Sequence, residues 1–555
     1  MHQVGFIQLL PINENGPDES PYGAISSVAL DPIYLAFEPS EIPGLEEADL
    51  EIAREELKVA LTSPLVMYRL VRDVKRSLLE KVWSRFADAA PELHDEFARF
   101  QKLEAEWLED YCVFSYLMEF HGATLSWDQW PESCRTPDGA RSFLEEQRKL
   151  NPESVARKIG YFAFAQWLCY RQWLALKAHA DASGVKLMGD VPIGISWHSC
   201  DVFFEREEFL TDWCGGTPPE ATNQGDAFTQ QWGQNWGIPL YRWDHMQGNG
   251  FRWWQKRIER LTRIFQMLRL DHILGFYRIY AFPWRPERNH EFEGLTLEQA
   301  AAMNHGKLPR WYLRPDDTLE NKAANHADGD VRLRAILQAA KGAEIIAEDL
   351  GIVPEYVRPH LANLGIAGFK IPHWDCHGHP DPGCSFPEHS FATYSTHDHD
   401  PVNGIWRNCL NTIQQHNENP NEQNEGAVSG AHHTLRILSE FAGIPYPSHG
   451  PWPPFTEGIR LRLIKALFAS SSRYAALMVT ELFNLDHRFN EPGTYGAHNW
   501  RFRLPWTIEE IHENPSYQAI GEKLISIISI TGRACHDWEP PKPVAKRVME
   551  SVAPL

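Results

Sequence analysis

Seven short, continuous apolar runs recur along the chain, separated by long stretches of helical pattern. They are "VGFIQLLPI" (4–12), "VKLMGDVPIGI" (185–195), "FQMLRLDHI" (265–273), "AEIIAEDLG" (343–351), "GFKIPHWD" (368–375), "FATYSTHD" (391–398) and "AALMVTELF" (475–483). Their apolar character is continuous rather than alternating, the pattern of strands covered on both faces. Strands alternating with helical segments predict a parallel sheet with helices outside it. The expected fold class is α/β: a single catalytic TIM (β/α)8-type barrel domain spanning 1–555. Such a barrel needs eight strands. If the opening run is strand two, the count closes and the usual first βα unit is missing. Either the start is assigned too late, or another segment fills the gap.

Three insertions interrupt the pattern. The first, 45–182, is strongly helical, and "TSPLVMYRLVRDVKRSLLEKVWSRF" places Met67, Val71, Val74, Leu78, Val82 and Phe86 near one face. Ser63 is the expected N-cap there and Pro64 suits the first turn. Further helices are predicted over 91–121 and 151–181, making a subdomain beside the barrel. The second insertion, 285–340, separates strands four and five. The third, 404–460, follows strand seven and contains "NTIQQHNENPNEQNEGAVSG", which reads as a mobile loop. Beyond residue 483, "WTIEEIHENPSYQAIGEKLISIISI" reads as helices and leaves no room for a C-terminal β-sandwich.

The formal net charge of -21 argues against nucleic acid or an anionic membrane surface as a partner and fits a neutral or cationic ligand. Most of the 21 Trp, 28 Phe and 17 Tyr read as core; an excess of Trp is also what a sugar-binding cleft uses, because a flat ring face stacks on the C–H face of a pyranose. The nine Cys are scattered with no CxxC pair, which reads as reduced thiols in a cytoplasmic protein. No signal peptide and no uninterrupted membrane-spanning stretch is found.

Acidic residues recur at the C-terminal ends of the runs, where barrel active sites form. They are Asp190 in "GDVP", Asp271 in "RLDH", Glu348 in "AEDLG" and Asp398 in "THDHD". Any one of them alone reads as a helix cap or a surface residue. Several converging carboxylates are costly without a purpose. A pair of them suits glycoside chemistry, one attacking the anomeric carbon while the other protonates the leaving oxygen. Arg269 lies two residues before Asp271, so on a strand it faces the same way and would hold Asp271 ionised. Equally, it could serve only as a salt-bridge partner inside the barrel.

Taken together, "SPYG", "GDVPIG", "GQNWGIPLYRWD", "LRLDHILGF", "AEDLG", "THDHD" and "NEPGTYGAHNWRFRLP" resemble the 4-α-glucanotransferases, the amylomaltase or disproportionating-enzyme family (glycoside hydrolase family 77). "LRLDHILGFYRIYAFPW" and "VALDPIYL" are similar to the plant cytosolic form. The resemblance implies roles. Asp271 would be the nucleophile, Glu348 the general acid and then base, and Asp398 the group that holds a distorted sugar ring. His397 and Arg269 would support them, Tyr22 and Asp190 would line the –1 subsite, and Gln234 and Trp236 would sit on a loop closing over the acceptor. Ile238 and His399 stand where many relatives have Asn, and the starch-binding modules of the plant form do not precede the barrel.

The activity expected from the resemblance is transfer of α-1,4-glucan segments or glucosyl units to the 4-hydroxyl of an acceptor. The implied partners are maltooligosaccharides, maltose, glucose and glycogen or starch-like glucan, with no cofactor. The alternatives are an α-1,4-glucan hydrolase and a non-catalytic glucan-binding relative. Two clusters also hold zinc-ligand types: His373, Asp375, Cys376, His377 and His379 in "HWDCHGH", and His397, Asp398, His399 and Asp400 in "HDHD". Neither has the paired spacing of a structural site, and no metal is expected. No Gly-rich phosphate cradle follows a strand.

Overall fold

The structure, a computed structural model, describes residues 4–16, 18–219, 226–376, 386–420, 424–447, 451–494, 496 and 498–533. Two compact units emerge, one from Phe6–Glu344 and the other from Met1–Gly5 with Ile345–Pro540. In chain order the strands are β1 (Phe6–Gln8), β2 (Lys186–Val191), β3 (Phe209–Thr217), β4 (Gln234–Tyr241), β5 (Met267–Leu270), β6 (Ile279–Phe282), β7 (Arg310–Tyr312), β8 (Glu344–Ala347), β9 (Ala367–Lys370), β10 (Ser390–Ala392) and β11 (Tyr474–Ala475).

In the first unit β1, β2 and β5 are parallel, with Phe6 opposite Lys186, Met188 opposite Met267 and Asp190 opposite Arg269. Each apolar run overlaps one parallel strand, but the strands are shorter than the runs. The opening run supplies only three strand residues, and Ile7 in its middle is 49% exposed, so β1 is not fully buried. β2 matches the double-sided expectation: five of its six residues are buried.

Six helices build the segment between β1 and β2: α1 (Glu47–Glu56), α2 (Lys58–Thr62), α3 (Tyr68–Arg85), α4 (Pro91–Phe120), α5 (Pro137–Leu150) and α6 (Pro152–Ala182). Proline at the first turn of α4, α5 and α6 suits positions whose N–H has no intrahelical partner. Thr136 caps α5 by accepting from Gly139 N. α3 begins at Tyr68, not after Ser63. The Ser63 hydroxyl is engaged with Leu65 instead, accepting from its N at 3.1 Å and donating to its O at 2.7 Å. The expected inner face of α3 holds for Val74, Leu78, Val82 and the following Phe86, all buried, whereas Met67 is exposed. Trp83 and Phe86 meet Phe97 of α4 and Phe164 of α6 in an aromatic core.

The same unit contains a four-stranded antiparallel sheet in the order β4-β3-β6-β7, which the apolar runs do not announce. One face packs Cys214 and Phe282 against Phe228, Trp232, Trp284 and Phe292. The other carries Leu240, Ile279 and Ala281.

In the second unit β8, β9, β10 and β11 are parallel, with Ala347 opposite Gly368, Phe391 opposite Phe369 and Ala392 opposite Ala475. The run at 475–483 gives up its strand after Ala475 and continues as a helix, Val479–Phe483. The polar stretch at 411–430, expected as a loop, belongs largely to two helices, Val402–Glu418 and Glu425–Phe441; residues 421–423 lie outside the described residues. An apolar stripe decides this: Trp406, Leu435, Leu438 and Phe441 are core, and Cys409, Leu410 and Ile413 pack against it. The expected C-terminal helices are Ile508–Glu513 and Pro515–Ile530, the second packing Leu524, Ile527 and Ile528 around Ile464 with Val4 beside them. The seven described cysteines are free thiols, six of them buried; Cys384 and Cys535 lie outside the described residues. Among the described residues no helix is long and apolar enough to cross a membrane.

Candidate active site

In the first unit, Arg269 on β5 faces its register partner Asp190 on β2. Its Nη1 lies 2.7 Å from each Asp190 carboxylate oxygen and 2.9 Å from Asp271 Oδ1. Arg269 and Asp271 share a side because two residues of strand return to the same face. The Arg269 and Asp190 side chains are 2% and 0% exposed, whereas that of Asp271 is 20% exposed. The buried pair thus holds a carboxylate that still reaches solvent. Tyr22, on the loop after β1, donates its hydroxyl to Asp190 Oδ2 at 2.8 Å. Tyr22, Asp190, Arg269 and Asp271 are therefore one connected group.

His272 follows in a left-handed conformation, φ 42°. Burial, aided by Arg269 and Arg278, pushes its pKa down to about 4, so the ring is neutral at neutral pH. Trp236 meets it edge-on with centroids 4.9 Å apart, and the Trp236 Nε1–H donates to Gln234 Oε1 at 3.1 Å. Both stand on β4, so the segment expected as a loop is a strand of the antiparallel sheet. Ile238 packs over Gly194 so closely that a Cβ there would lie 2.3 Å from Ile238 Cδ1.

In the second unit, Glu348 directly follows β8 and its Oε1 accepts from Leu350 N at 3.0 Å. The neighbouring acid of "AEDLG" has a different task. Asp349 is 1% exposed, accepts from Phe369 N at 2.6 Å and pairs with Arg358 at 2.9 Å. Glu348, half-buried, is the one left at the strand end.

Asp398 sits on the turn after β10. Its Oδ2 lies 3.3 Å from His397 Nε2 and its Oδ1 accepts from Asn490 Nδ2 at 2.6 Å. Burial opposes its ionisation, yet His397, Asn490 and His399 together hold its pKa well below the ordinary carboxylate range. Arg488 donates to the Asp398 backbone carbonyl, and Trp500 lies beside the His397 ring at 5.7 Å. His399 bonds Thr396 at 2.8 Å and receives the edge of Trp374 at 4.8 Å. His397 and Asp398 are thus partners of each other. His377 and His379 of the other candidate metal cluster lie outside the described residues.

Arg488, Asn490 and Trp500 carry positions around Asp398 that the strand-end reading does not supply. All three fall inside or just before "NEPGTYGAHNWRFRLP", a motif that was legible as a whole but without roles for its members.

A family model described as 4-alpha-glucanotransferase matches residues 1–508, which include all nine candidate residues. The chain belongs to the 4-alpha-glucanotransferase family. It is an enzyme that transfers glucan to a sugar acceptor. Among its relatives, the 4-alpha-glucanotransferase of Thermus thermophilus is 30% identical over 510 residues, covering 90% of this chain and 87% of that one. The Chlamydia pneumoniae 4-alpha-glucanotransferase is 27% identical over 537 residues, covering 94% and 88%. The chloroplastic/amyloplastic 4-alpha-glucanotransferase of Solanum tuberosum is 28% identical over 541 residues, covering 95% and 79%. The amylomaltase from Streptococcus agalactiae in complex with acarbose superposes with a TM-score of 0.68 at 22% identity, covering 96% of this chain and 93% of that one. The chain therefore has the amylomaltase fold.

Proposed function

We propose that the enzyme moves α-1,4-glucan segments or glucosyl units from a donor glucan to the 4-hydroxyl of an acceptor sugar by a retaining double displacement. Asp271 attacks the anomeric carbon while Glu348 gives its proton to the glycosidic oxygen, and the reducing-end fragment leaves. The acceptor 4-hydroxyl then attacks the same carbon from the vacated side, Glu348 takes its proton, and Asp271 departs as a carboxylate. Asp398, kept ionised by His397 and Asn490, holds the hydroxyls of the distorted ring and offers negative charge to the oxocarbenium-like transition state. Trp236 and Gln234 receive the acceptor.

The single observation that carries this reading is the bridge from buried Asp190 through Arg269 to Asp271, which still reaches solvent. An Arg–Asp pair taken out of water is expensive. Here it fixes a second, accessible carboxylate with a guanidinium beside it, as a nucleophile requires. The partners in this reading are maltooligosaccharides, maltose, glucose and glycogen or starch-like glucan. The same reading takes the parallel strands and their helices as a (β/α)8-type barrel interrupted by 45–182, 285–340 and 404–460. It places the enzyme in the cytoplasm, where its free thiols stay reduced.

Maltotriose alone tests the assignment. The wild type should produce a ladder of both longer and shorter maltooligosaccharides, and Asp271→Asn should lower turnover by on the order of 10⁴-fold. Shorter products alone would replace transfer with hydrolysis, and an unimpaired Asp271→Asn would remove the nucleophile.

A further inference from the structure

The mechanism above uses Asp398 but leaves unused a buried acid of the same unit that, among the described residues, pairs with no cation. Glu481, on the helix Val479–Phe483, is 1% exposed, and among the described residues no cation pairs with it. Three donors meet it instead. Ser395 Oγ donates to Oε1 at 2.5 Å, Val402 N donates to the same oxygen at 3.1 Å, and Met478 N donates to Oε2 at 3.0 Å.

Ser395 and Val402 bracket the turn that carries His397, Asp398 and His399. One carboxylate therefore ties both ends of that turn to the start of a helix. The chain leaving this helix at Asn484 goes on to supply Arg488 and Asn490, which hold Asp398 itself. Asn403 adds a second tie, donating to Leu485 O at 2.8 Å and Asp486 Oδ1 at 2.9 Å. A lone carboxylate buried without a cation costs folding energy. A helix cap alone does not need it, because the Met478 bond uses only one of its oxygens, and the other is turned to the Asp398 turn.

We propose that Glu481 is a positioning residue, which sets the place of Asp398 by clamping both ends of its turn to the helix that follows β11. This rests on the role given to Asp398 above. In Glu481→Gln one acceptor oxygen becomes an NH₂ that faces either the Met478 N–H or the Ser395 and Val402 donors, so the clamp loses a bond and gains a donor–donor clash.

The test is a double-mutant cycle with α-maltosyl fluoride as donor, read as fluoride release on folded protein. Glu481→Gln in the wild type should lower kcat by about 10²-fold with KM changed by no more than about twofold, the size of effect expected from a misplaced catalytic group. In the Asp398→Asn background the same substitution should lower kcat by no more than about threefold, because the group it positions is already gone. An equal loss in both backgrounds, or a lowered Tm with unchanged kcat, would overturn the proposal and leave Glu481 a structural cap. If Glu481→Gln does not fold, Ser395→Ala removes one donor only and should show the same non-additivity at about tenfold; additive behaviour there overturns it equally. An Asp398→Asn variant with full activity would sink the reading of Asp398, an outcome distinct from failure of the clamp.

Discussion

Burial drives the Glu481 carboxyl from an ordinary 4.5 up to about 7, against the three hydrogen bonds that favour its ionised form. An acid with a raised pKa holds its proton in the folded state where the unfolded chain has released it. The stability it confers is complete below about 4.5 and is lost as pH rises towards about 7. At about 1.4 kcal/mol per pH unit the loss is about 3 kcal/mol. Denaturant unfolding at pH 5 and pH 8 should show that much less pH dependence in Glu481→Gln than in the wild type. Equal pH dependence would show that another group carries it. Asp271 and Glu348 were legible as acids closing apolar runs, because a strand end fixes where the next side chain stands; Asp398 closes its run too, but on a turn beyond the end of β10. Asn490 and Arg488 were not, because they reach Asp398 from about 90 residues away in the chain through hydrogen bonds that leave no periodic trace. Glu481 lay within a recognised run, but as an apparent strand residue, and only the switch to helix after Ala475 turns it inward.

Helices with strong end signals were the most readable elements. The segments expected over 91–121 and 151–181 are α4, Pro91–Phe120, and α6, Pro152–Ala182, each opened by a proline. Their packing also explains a small residue. A Cβ on Gly160 of α6 would lie 2.5 Å from Trp83 Cζ2 of α3, so the Trp83 ring occupies the space that a larger residue there would need. Gly160→Ala should cost about 1–3 kcal/mol through overpacking, despite alanine's better helix propensity. Thermal unfolding reads this directly, and a stabilised variant would show that Trp83 can move aside. The antiparallel sheet was unreadable for the opposite reason. Its strands run through "DWCGGT" and "GQNWGIP", where glycine and proline signal turns, and register shifts between β3 and β4 break the alternation. The helices inside the polar stretch were hidden by composition. Trp406 is buried, and Cys409, Leu410 and Ile413 pack partly buried against the same core, among residues that otherwise suggest a loop.

Across the molecule, counting strands proved more informative than their length. Each of the seven runs overlaps a parallel strand, three of them in one compact unit and four in the other, and the whole has the amylomaltase fold. Continuous apolar runs are legible because helices cover parallel strands on both faces. Their true ends are not, since the same residues suit the turns and short helices that follow. Membership of the 4-alpha-glucanotransferase family follows from a match over residues 1–508, and the chemistry proposed for it requires a covalent glycosyl-enzyme. The most direct measurement is the mass of Glu348→Gln after exposure to α-maltosyl fluoride, whose leaving group needs no acid but whose glycosyl-enzyme still needs a base to be released. The expected result is one maltosyl adduct on the peptide that contains Asp271, absent from the Asp271→Asn, Glu348→Gln double variant. An adduct on another carboxylate, or no adduct together with products of inverted anomeric configuration, would contradict it.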